Sequence, residues 1–157
     1  MSVAEVQPRI VVVGLGYVGL PLAVALADHF PTVGFDIDVE RVTELAAGND
    51  RTREIDSDRL LRSSLKLSAD AGDVTGHDVY IVTVPTPVDD ANRPDLGPVM
   101  AATRTVGELL RPGRRTIIIY ESTVYPGVTE DVCGPELERV SGLKRGVDFF
   151  LGYSPER

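Results

Sequence analysis

The stretch RIVVVGLGYVGLPLAVALADHF, residues 9–30, restricts the possible folds more than any other part of this sequence. An apolar, β-branched run leads directly into three glycines with the spacing G-x-G-x-x-G, and a helical pattern begins at once. Glycine lowers the stability of a helix by about 1 kcal/mol per site, so three glycines at the start of a helix need another explanation. In a strand–turn–helix unit that binds a dinucleotide, Gly14 permits the tight turn, Gly16 lets the main chain approach a pyrophosphate, and Gly19 lets the helix pack close to the strand.

Strand-like and helix-like segments alternate along the whole chain. Apolar β-branched runs, typical of strands covered on both faces, are separated by stretches typical of helices. The predicted strands are residues 10–14, 31–36, 65–70, 77–85, 115–123 and 147–157. The predicted helices are residues 17–30, 38–48, 95–113 and 126–142, and the last of them is interrupted at Gly134-Pro135. Residues 50–64 suggest a loop and a short helix. This order predicts an α/β fold: a doubly wound parallel (Rossmann) sheet of six strands in the order 3-2-1-4-5-6.

A second feature agrees with a dinucleotide site. Asp36 ends the second predicted strand, about twenty residues beyond the turn, where an acid binds the adenosine ribose hydroxyls. A carboxylate there repels a 2′-phosphate, so NAD is favoured over NADP, although Arg41 nearby weakens this preference. The alternative interpretation is a glycine-rich turn in some other α/β domain, with Asp36 as a helix cap.

Composition limits the other classes of function. With 157 residues, 43% of them hydrophobic, the chain suits one domain. The net charge of -8 and the pI near 4.7 come without a basic patch, which argues against nucleic acid, and no apolar run is long enough for a membrane span. No secretory signal is visible, and a single cysteine, Cys133, excludes an internal disulfide and a multi-cysteine metal site. We therefore expect a cytoplasmic protein without a metal, with Cys133 as a half-buried structural thiol.

Five motifs resemble the UDP-glucose/GDP-mannose dehydrogenase family and follow the order and spacing of that family. They are VVGLGYVGLPLAVALA, GFDID, VTVPTP, YESTVYPG and GYSPER, and together they cover nearly the whole chain. The resemblance is strongest to the branch that acts on UDP-N-acetylhexosamines, as indicated by NRPDL, by the residues of YESTVYPG and by the closing SPER. That branch makes uronic acids for bacterial surface polysaccharides. The resemblance implies the NAD-binding domain of a nucleotide-sugar 6-dehydrogenase.

The resemblance also implies a reaction. The family oxidises a sugar C6 hydroxyl to an aldehyde and then to a carboxylate, and NAD takes each hydride. A cysteine captures the aldehyde as a thiohemiacetal, a second hydride transfer gives a thioester, and water hydrolyses it with help from a lysine and an aspartate. These residues follow SPER in the family, so we expect residues 1–157 to be a cofactor domain, truncated before the central helix and the UDP-binding domain and inactive alone. The full-length family enzyme is expected to be a homodimer that binds a UDP-sugar.

Family positions carry over where the motifs match. Cofactor contacts are expected at Gly14, Leu15, Gly16, Tyr17, Val18 and Gly19 in the pyrophosphate turn, at Asp36 and Arg41, at Val84, Pro85 and Thr86 after the fourth strand, and at Ser122 and Thr123 after the fifth. The catalytic candidates are Thr123, which would position water or a proton near the nicotinamide, and Glu156, which would activate water for thioester hydrolysis. Taken alone, Thr86 and Thr123 also fit caps or turns, and Glu156 fits a surface charge.

Two other functions stay open on the sequence alone. One is a stand-alone NAD-sensing or interaction module without catalysis. The other is a dehydrogenase of the 6-phosphogluconate or 3-hydroxy-acid type, which shares the first motif. YESTVYPG and SPER argue against the second.

Overall fold

Six parallel strands form one sheet. They are β1 (Ile10–Val13), β2 (Thr32–Phe35), β3 (Lys66–Ser68), β4 (Val79–Val82), β5 (Thr116–Tyr120) and β6 (Phe149–Tyr153). Their order across the sheet is β3-β2-β1-β4-β5-β6, which confirms the predicted topology. The structure is a computed structural model and describes residues 7–88, 90–121 and 129–154.

Helices cover both faces of the sheet. Among the described residues they are α1 (Gly19–Ala27), α2 (Val39–Ala46), α3 (Ser57–Arg62), α4 (Gly97–Leu109) and α5 (Gly134–Ser141), with a 3₁₀ turn at Ala71–Val74 and a π-helical turn at Thr129–Cys133. Apolar residues of α1, α2 and α3 join one core cluster, and those of α4 and α5 join the other. The chain therefore has the layered α/β architecture that alternating strands and helices predict.

The first strand lies in the middle of the sheet because its residues are apolar on both faces. β1 pairs with β2 on one side and with β4 on the other, and all four of its residues are buried. Ile10 and Val12 belong to the core on the α1 side, whereas Val11 and Val13 belong to the core on the α4 side. Since side chains alternate across a strand, this two-sided burial requires an uninterrupted apolar run.

The interruption that the sequence predicts at Gly134-Pro135 is confirmed. The π-helical turn ends at Cys133 and α5 begins at Gly134, with Pro135 in its first turn, where a missing N–H costs little. The 3₁₀ turn had no counterpart in the prediction. It is started by Asp70, whose Oδ1 accepts a hydrogen bond from the Gly72 N–H at 2.9 Å.

The carboxyl ends of β1, β2 and β4 meet at one edge of the sheet. Residues 14–18 follow β1 there and lead into α1, Asp36 follows β2, and Thr83 follows β4. In open parallel sheets this edge is where ligands bind, near the point at which the strand order reverses. The fold thus brings together three segments that lie far apart in the sequence.

Candidate functional site

Each glycine of the turn between β1 and α1 has its own physical reason. Gly14 has a φ of 98°, which residues with a side chain rarely adopt. A Cβ on Gly19 would lie 1.8 Å from the Gly14 carbonyl oxygen and 2.4 Å from Thr83 Oγ1, so the helix could not pack as it does. A Cβ on Gly16 would meet no atom of the described residues within 4 Å. Gly14 and Gly19 are therefore needed by the fold, whereas Gly16 leaves open space in front of the main chain.

The N-terminus of α1 is free to bind an anion. Its N-cap residue, Val18, has no side chain that caps the helix, and its first turn holds no acidic residue. Within the described chain, the N–H groups of Gly16, Tyr17 and Val18 have no hydrogen-bond acceptor. Free N–H groups and the positive end of the helix dipole together favour phosphate oxygens at this position.

Asp36 places a carboxylate beside this turn. Its Oδ2 accepts a hydrogen bond from the Leu15 N–H at 2.9 Å, and its Oδ1 accepts one from the Asp38 N–H, also at 2.9 Å. The residue is half-buried, and each carboxylate oxygen keeps a further lone pair for a hydroxyl donor. Position and charge are those that a ribose with two free hydroxyls requires and that a 2′-phosphate would oppose.

Arg41 lies behind the turn. The residue is only 5% exposed, its Nε donates a hydrogen bond to the Leu15 carbonyl at 2.8 Å, and its Nη2 lies 3.0 Å from Asp50 Oδ1 in an ion pair. The sequence predicts a direct cofactor contact for Arg41, and that contact stays a prediction. What the structure adds is a role toward the main chain of the turn.

The segment after β4 closes the other side of the turn. Thr83 Oγ1 lies 2.7 Å from the Gly14 carbonyl and 3.1 Å from the Val13 carbonyl, so this hydroxyl donates to the end of β1. Val84 packs next to Gly14, since a Cβ on that glycine would lie 3.0 Å from its Cγ1. Among the described residues, the buried Oγ1 of Thr86 has no hydrogen-bond partner.

A cavity of about 340 Å³ opens at this edge of the sheet. Its walls come from the turn, from the ends of β2 and β4 and from one face of α4, with Gly14, Leu15, Gly16, Phe35, Asp36, Ile37, Thr83, Val84, Pro85, Pro98, Ala101, Ala102 and Thr105 among the lining residues. The open turn and the uncapped helix fit a dinucleotide whose phosphates rest on the main chain.

The helix α4 contributes residues that our sequence analysis missed. Pro98, Ala101, Ala102 and Thr105 line the cavity at the spacing i, i+3, i+4, i+7, which places them on one face of the helix. A stripe of small residues at helical spacing was therefore the available signal. Thr83 was missed as well, because nothing in its local sequence indicates a hydrogen bond to β1.

A wider depression of about 730 Å³ lies at the opposite, amino edge of the sheet. Arg9 and His77 line it, and their side chains contact each other, with Arg9 Nη2 3.3 Å from His77 Nε2. Burial lowers the pKa of His77, which favours the neutral ring beside this guanidinium. Parallel sheets bind ligands at their carboxyl edge, so the smaller cavity is the candidate site.

The cysteine lies in the core. Cys133 is fully buried, not half-buried as the sequence predicts, and burial raises the pKa of its thiol. It lies against Tyr120, whose hydroxyl is 2.8 Å from Thr103 Oγ1 and whose own pKa is also raised by burial. A buried, protonated thiol is a poor nucleophile.

Three predicted site residues, Ser122, Thr123 and Glu156, lie outside the described residues. Within residues 7–88, 90–121 and 129–154, no group of three His, Cys, Asp or Glu side chains could hold a metal ion. In the same part of the chain, no helix has the length and apolar character needed to cross a membrane.

Comparison with known proteins gives a family and several close relatives. Residues 8–157 match the UDP-glucose/GDP-mannose dehydrogenase family, NAD binding domain. The chain is 50% identical over 150 residues to the UDP-N-acetyl-D-glucosamine 6-dehydrogenase of Pseudomonas aeruginosa and 49% identical over 149 residues to Protein CapL of Staphylococcus aureus. Each match covers 95% of this chain and 35% of the relative, so the chain spans about a third of the length of these proteins.

Two solved structures of similar proteins have a similar fold. The UDP-D-ManNAc dehydrogenase from Pyrococcus horikoshii is similar with a TM-score of 0.85 at 38% identity, over 95% of this chain and 36% of that chain. A ternary complex of GDP-mannose dehydrogenase from Pseudomonas aeruginosa is similar with a TM-score of 0.86 at 30% identity, with the same coverage of each chain. The architecture around the candidate site is therefore the one these proteins share.

Proposed function

We propose that this chain, which belongs to the UDP-glucose/GDP-mannose dehydrogenase family as its NAD-binding domain, supplies the cofactor half of a nucleotide-sugar 6-dehydrogenase. The family predicted from the five motifs is confirmed by the match over residues 8–157. The observation that carries the proposal is the open, uncapped turn at Gly16 next to the carboxylate of Asp36.

Different residues at the carboxyl edge of the sheet would bind different parts of NAD. The N–H groups of Gly16, Tyr17 and Val18 would bind the pyrophosphate, and Asp36 would accept hydrogen bonds from the adenosine ribose. Val84, Pro85 and Thr86 would line the path toward the nicotinamide. NAD⁺, when bound, supplies the hydride acceptor for oxidation at the sugar.

The proposed catalytic residues follow β5 and β6. We assign Thr123 the positioning of water or a proton near the nicotinamide, and Glu156 the activation of water for hydrolysis of the product ester. Ser122 is assigned a cofactor contact next to Thr123. The support for all three is their place in the family motifs YESTVYPG and GYSPER.

The proposed substrate is a UDP-N-acetylhexosamine, oxidised at C6 to a uronate for polysaccharide biosynthesis. The support is the identity of 50% and 45% with two proteins named UDP-N-acetyl-D-glucosamine 6-dehydrogenase, from Pseudomonas aeruginosa and Salmonella typhi. Because the chain covers 35% of each, most of a sugar site and of any homodimer interface would come from regions outside the match. Residues 1–157 alone are therefore expected to bind NAD without turnover.

Calorimetry on residues 1–157 tests the cofactor half of the proposal. We expect NAD⁺ to bind and NADP⁺ to bind at least about tenfold more weakly, because Asp36 repels a 2′-phosphate. Absence of heat with NAD⁺ and NADH on a folded sample would refute NAD binding by this domain. Sustained NADH formation from a UDP-sugar by this chain alone would refute the need for a second half.

A fusion tests the substrate. Residues 8–157 would replace the matching region of the Pseudomonas aeruginosa relative, and NADH formation would be followed with UDP-N-acetylglucosamine, UDP-glucose and GDP-mannose. We expect turnover with the UDP-N-acetylhexosamine and, after Thr123→Val, a fall in kcat measured at saturating NAD⁺. A fusion that binds NAD⁺ but oxidises none of the sugars would favour the NAD-sensing module instead.

A further inference from the structure

A chain of contacts connects the surface loop after α2 with the turn between β1 and α1. Asp50, in that loop, pairs with Arg41 at 3.0 Å, and Arg41 Nε donates to the Leu15 carbonyl at 2.8 Å. The side chains are buried, with 0% of Asp50 and 6% of Arg41 exposed. A buried charge needs a partner, so each of these two groups holds the other in place.

The Leu15 carbonyl controls the direction of the next N–H group. The peptide between Leu15 and Gly16 is planar and trans, so its C=O and its N–H point in opposite directions. While Arg41 binds the carbonyl from the protein interior, the Gly16 N–H is turned away from the interior, toward the open side of the turn. Since Gly16 has no side chain to restrict this peptide, an external hydrogen bond is what keeps its orientation.

The carboxylate of Asp50 is itself held by its own loop. Its Oδ1 accepts hydrogen bonds from the Thr52 N–H at 3.0 Å and the Thr52 hydroxyl at 2.6 Å, and its Oδ2 accepts from the N–H groups of Glu54 at 2.8 Å and Ile55 at 3.1 Å. Arg53 between them has a φ of 56°, an unusual conformation that the surrounding bonds must maintain. The loop is therefore built around one carboxylate that faces Arg41.

We infer that Asp50 is a positioning residue for dinucleotide binding: it holds Arg41 against the Leu15 carbonyl and so directs the Gly16 N–H toward the bound pyrophosphate. Asp50 acts through Arg41 and does not touch the cofactor. This role concerns the NAD site alone and does not depend on the sugar that the longer enzyme oxidises.

The test compares ligands with and without a pyrophosphate. In Asp50→Asn and in Arg41→Met we expect NAD⁺ and ADP-ribose to bind about tenfold more weakly, the value of one oriented hydrogen bond, while adenosine binds as to the wild type. The double variant should bind NAD⁺ no more weakly than Arg41→Met, since Asp50 acts through that residue. The matched control is Asp56→Asn, which removes the N-cap carboxylate of α3 and should leave NAD⁺ affinity unchanged.

An NMR signal reports the orientation directly. The amide resonance of Gly16 in the unliganded protein should shift in Asp50→Asn and Arg41→Met, whereas that of Gly113, which lies in a distant turn, should not. Wild-type affinity in a folded Asp50→Asn variant, equal losses for adenosine, or additive losses in the double variant would each overturn the inference. If Asp50→Asn does not fold, the same two measurements on Arg41→Met test the inference. An unchanged Gly16 amide resonance together with unchanged NAD⁺ affinity would overturn it.

Discussion

Gly16 and Gly19 lie three residues apart in one turn, yet an added methyl group would meet different surroundings at each. At Gly19 it would overlap the Gly14 carbonyl oxygen, at 1.8 Å, whereas at Gly16 it would meet none of the residues that the structure describes within 4 Å. Residues of the same type in the same motif therefore serve different purposes. Gly19 is required for packing, whereas Gly16 leaves open space in front of the main chain.

Alanine substitutions separate these purposes. Gly19→Ala should lower the free energy of unfolding by about 3 kcal/mol, because the methyl group forces α1 away from β1. Gly16→Ala should leave the free energy of unfolding within about 0.5 kcal/mol of the wild type but weaken NAD⁺ binding at least about tenfold. Urea unfolding and calorimetry measure the two effects. A Gly16→Ala variant that binds NAD⁺ normally would contradict the assigned pyrophosphate contact.

The carboxylate of Asp50 makes stability depend on pH. Burial raises the pKa of Asp50, but hydrogen bonds from Thr52 and Ile55 together with the Arg41 guanidinium outweigh this effect and lower the pKa to about 2. A lowered pKa stabilises the fold above the pKa of the unfolded chain, near 4, and this contribution is lost as the pH falls toward 2.

We therefore expect the difference in unfolding free energy between wild type and Asp50→Asn to shrink by about 1–2 kcal/mol between pH 6 and pH 2, after allowance for solvent screening. Urea unfolding at a series of pH values measures this difference. Glu136→Gln, which alters an ion pair at the surface, serves as the control and should show a much smaller change with pH. A difference that stays constant with pH would show that the pKa of Asp50 is the same in the folded and the unfolded protein.

At the scale of elements, the site depends on a helix that carries no family motif. α4 lies on the same side of the sheet as the cavity and presents Pro98, Ala101, Ala102 and Thr105 to it. Small side chains on this face leave the volume that a ligand needs, while Val99 and Val106 on the same helix are fully buried in the core. One helix therefore both fills the core and shapes the site.

Enlarging one of these side chains should close the cavity without unfolding the protein. Ala101→Leu changes an exposed residue, so the melting temperature should stay near that of the wild type, while NAD⁺ binding weakens about tenfold. Glu108→Leu introduces the same side chain at another exposed position of α4, outside the cavity lining, and should bind NAD⁺ normally. Equal affinities of the two variants would show that the ligand does not reach α4.

At the scale of the whole molecule, the two faces of the sheet are not buried to the same extent. On β6 the neighbouring residues Phe149 and Phe150 point to opposite faces, and their exposed fractions are 0% and 37%. Phe149 belongs to the core that includes α4 and α5. Phe150 lies in register with Ile117 of β5, itself 43% exposed, on the other face.

This asymmetry predicts different costs for two adjacent substitutions. Phe149→Ala should lower the free energy of unfolding by about 3–5 kcal/mol, because it leaves a cavity in the core. Phe150→Ala should cost only about 1–2 kcal/mol, since part of that ring is already in water. Urea unfolding of the two variants measures both values. Equal losses would mean that the outer face of β5 and β6 is covered in solution.

Several features of this protein could be predicted from the sequence because they depend on residues that lie close together in the chain. The apolar run of β1, the three glycines and Asp36 after β2 indicate the sheet order and a dinucleotide turn through local periodicity and spacing. The five motifs indicated the family in the same way. Positions such as Thr83 and the lining face of α4 were missed because their partners lie on other elements.

The sequence by itself determined the fold class, the turn and the family, since each depends on neighbouring residues that any chain with this pattern would share. Only the tertiary structure decided that Arg41 lies buried behind the turn and that Asp50 holds it there. It also decided that Phe149, not Phe150, fills the core. These facts depend on contacts between segments distant in the chain, such as the hydrogen bond that joins Arg41 and Leu15 across 26 residues, and local patterns do not encode such contacts.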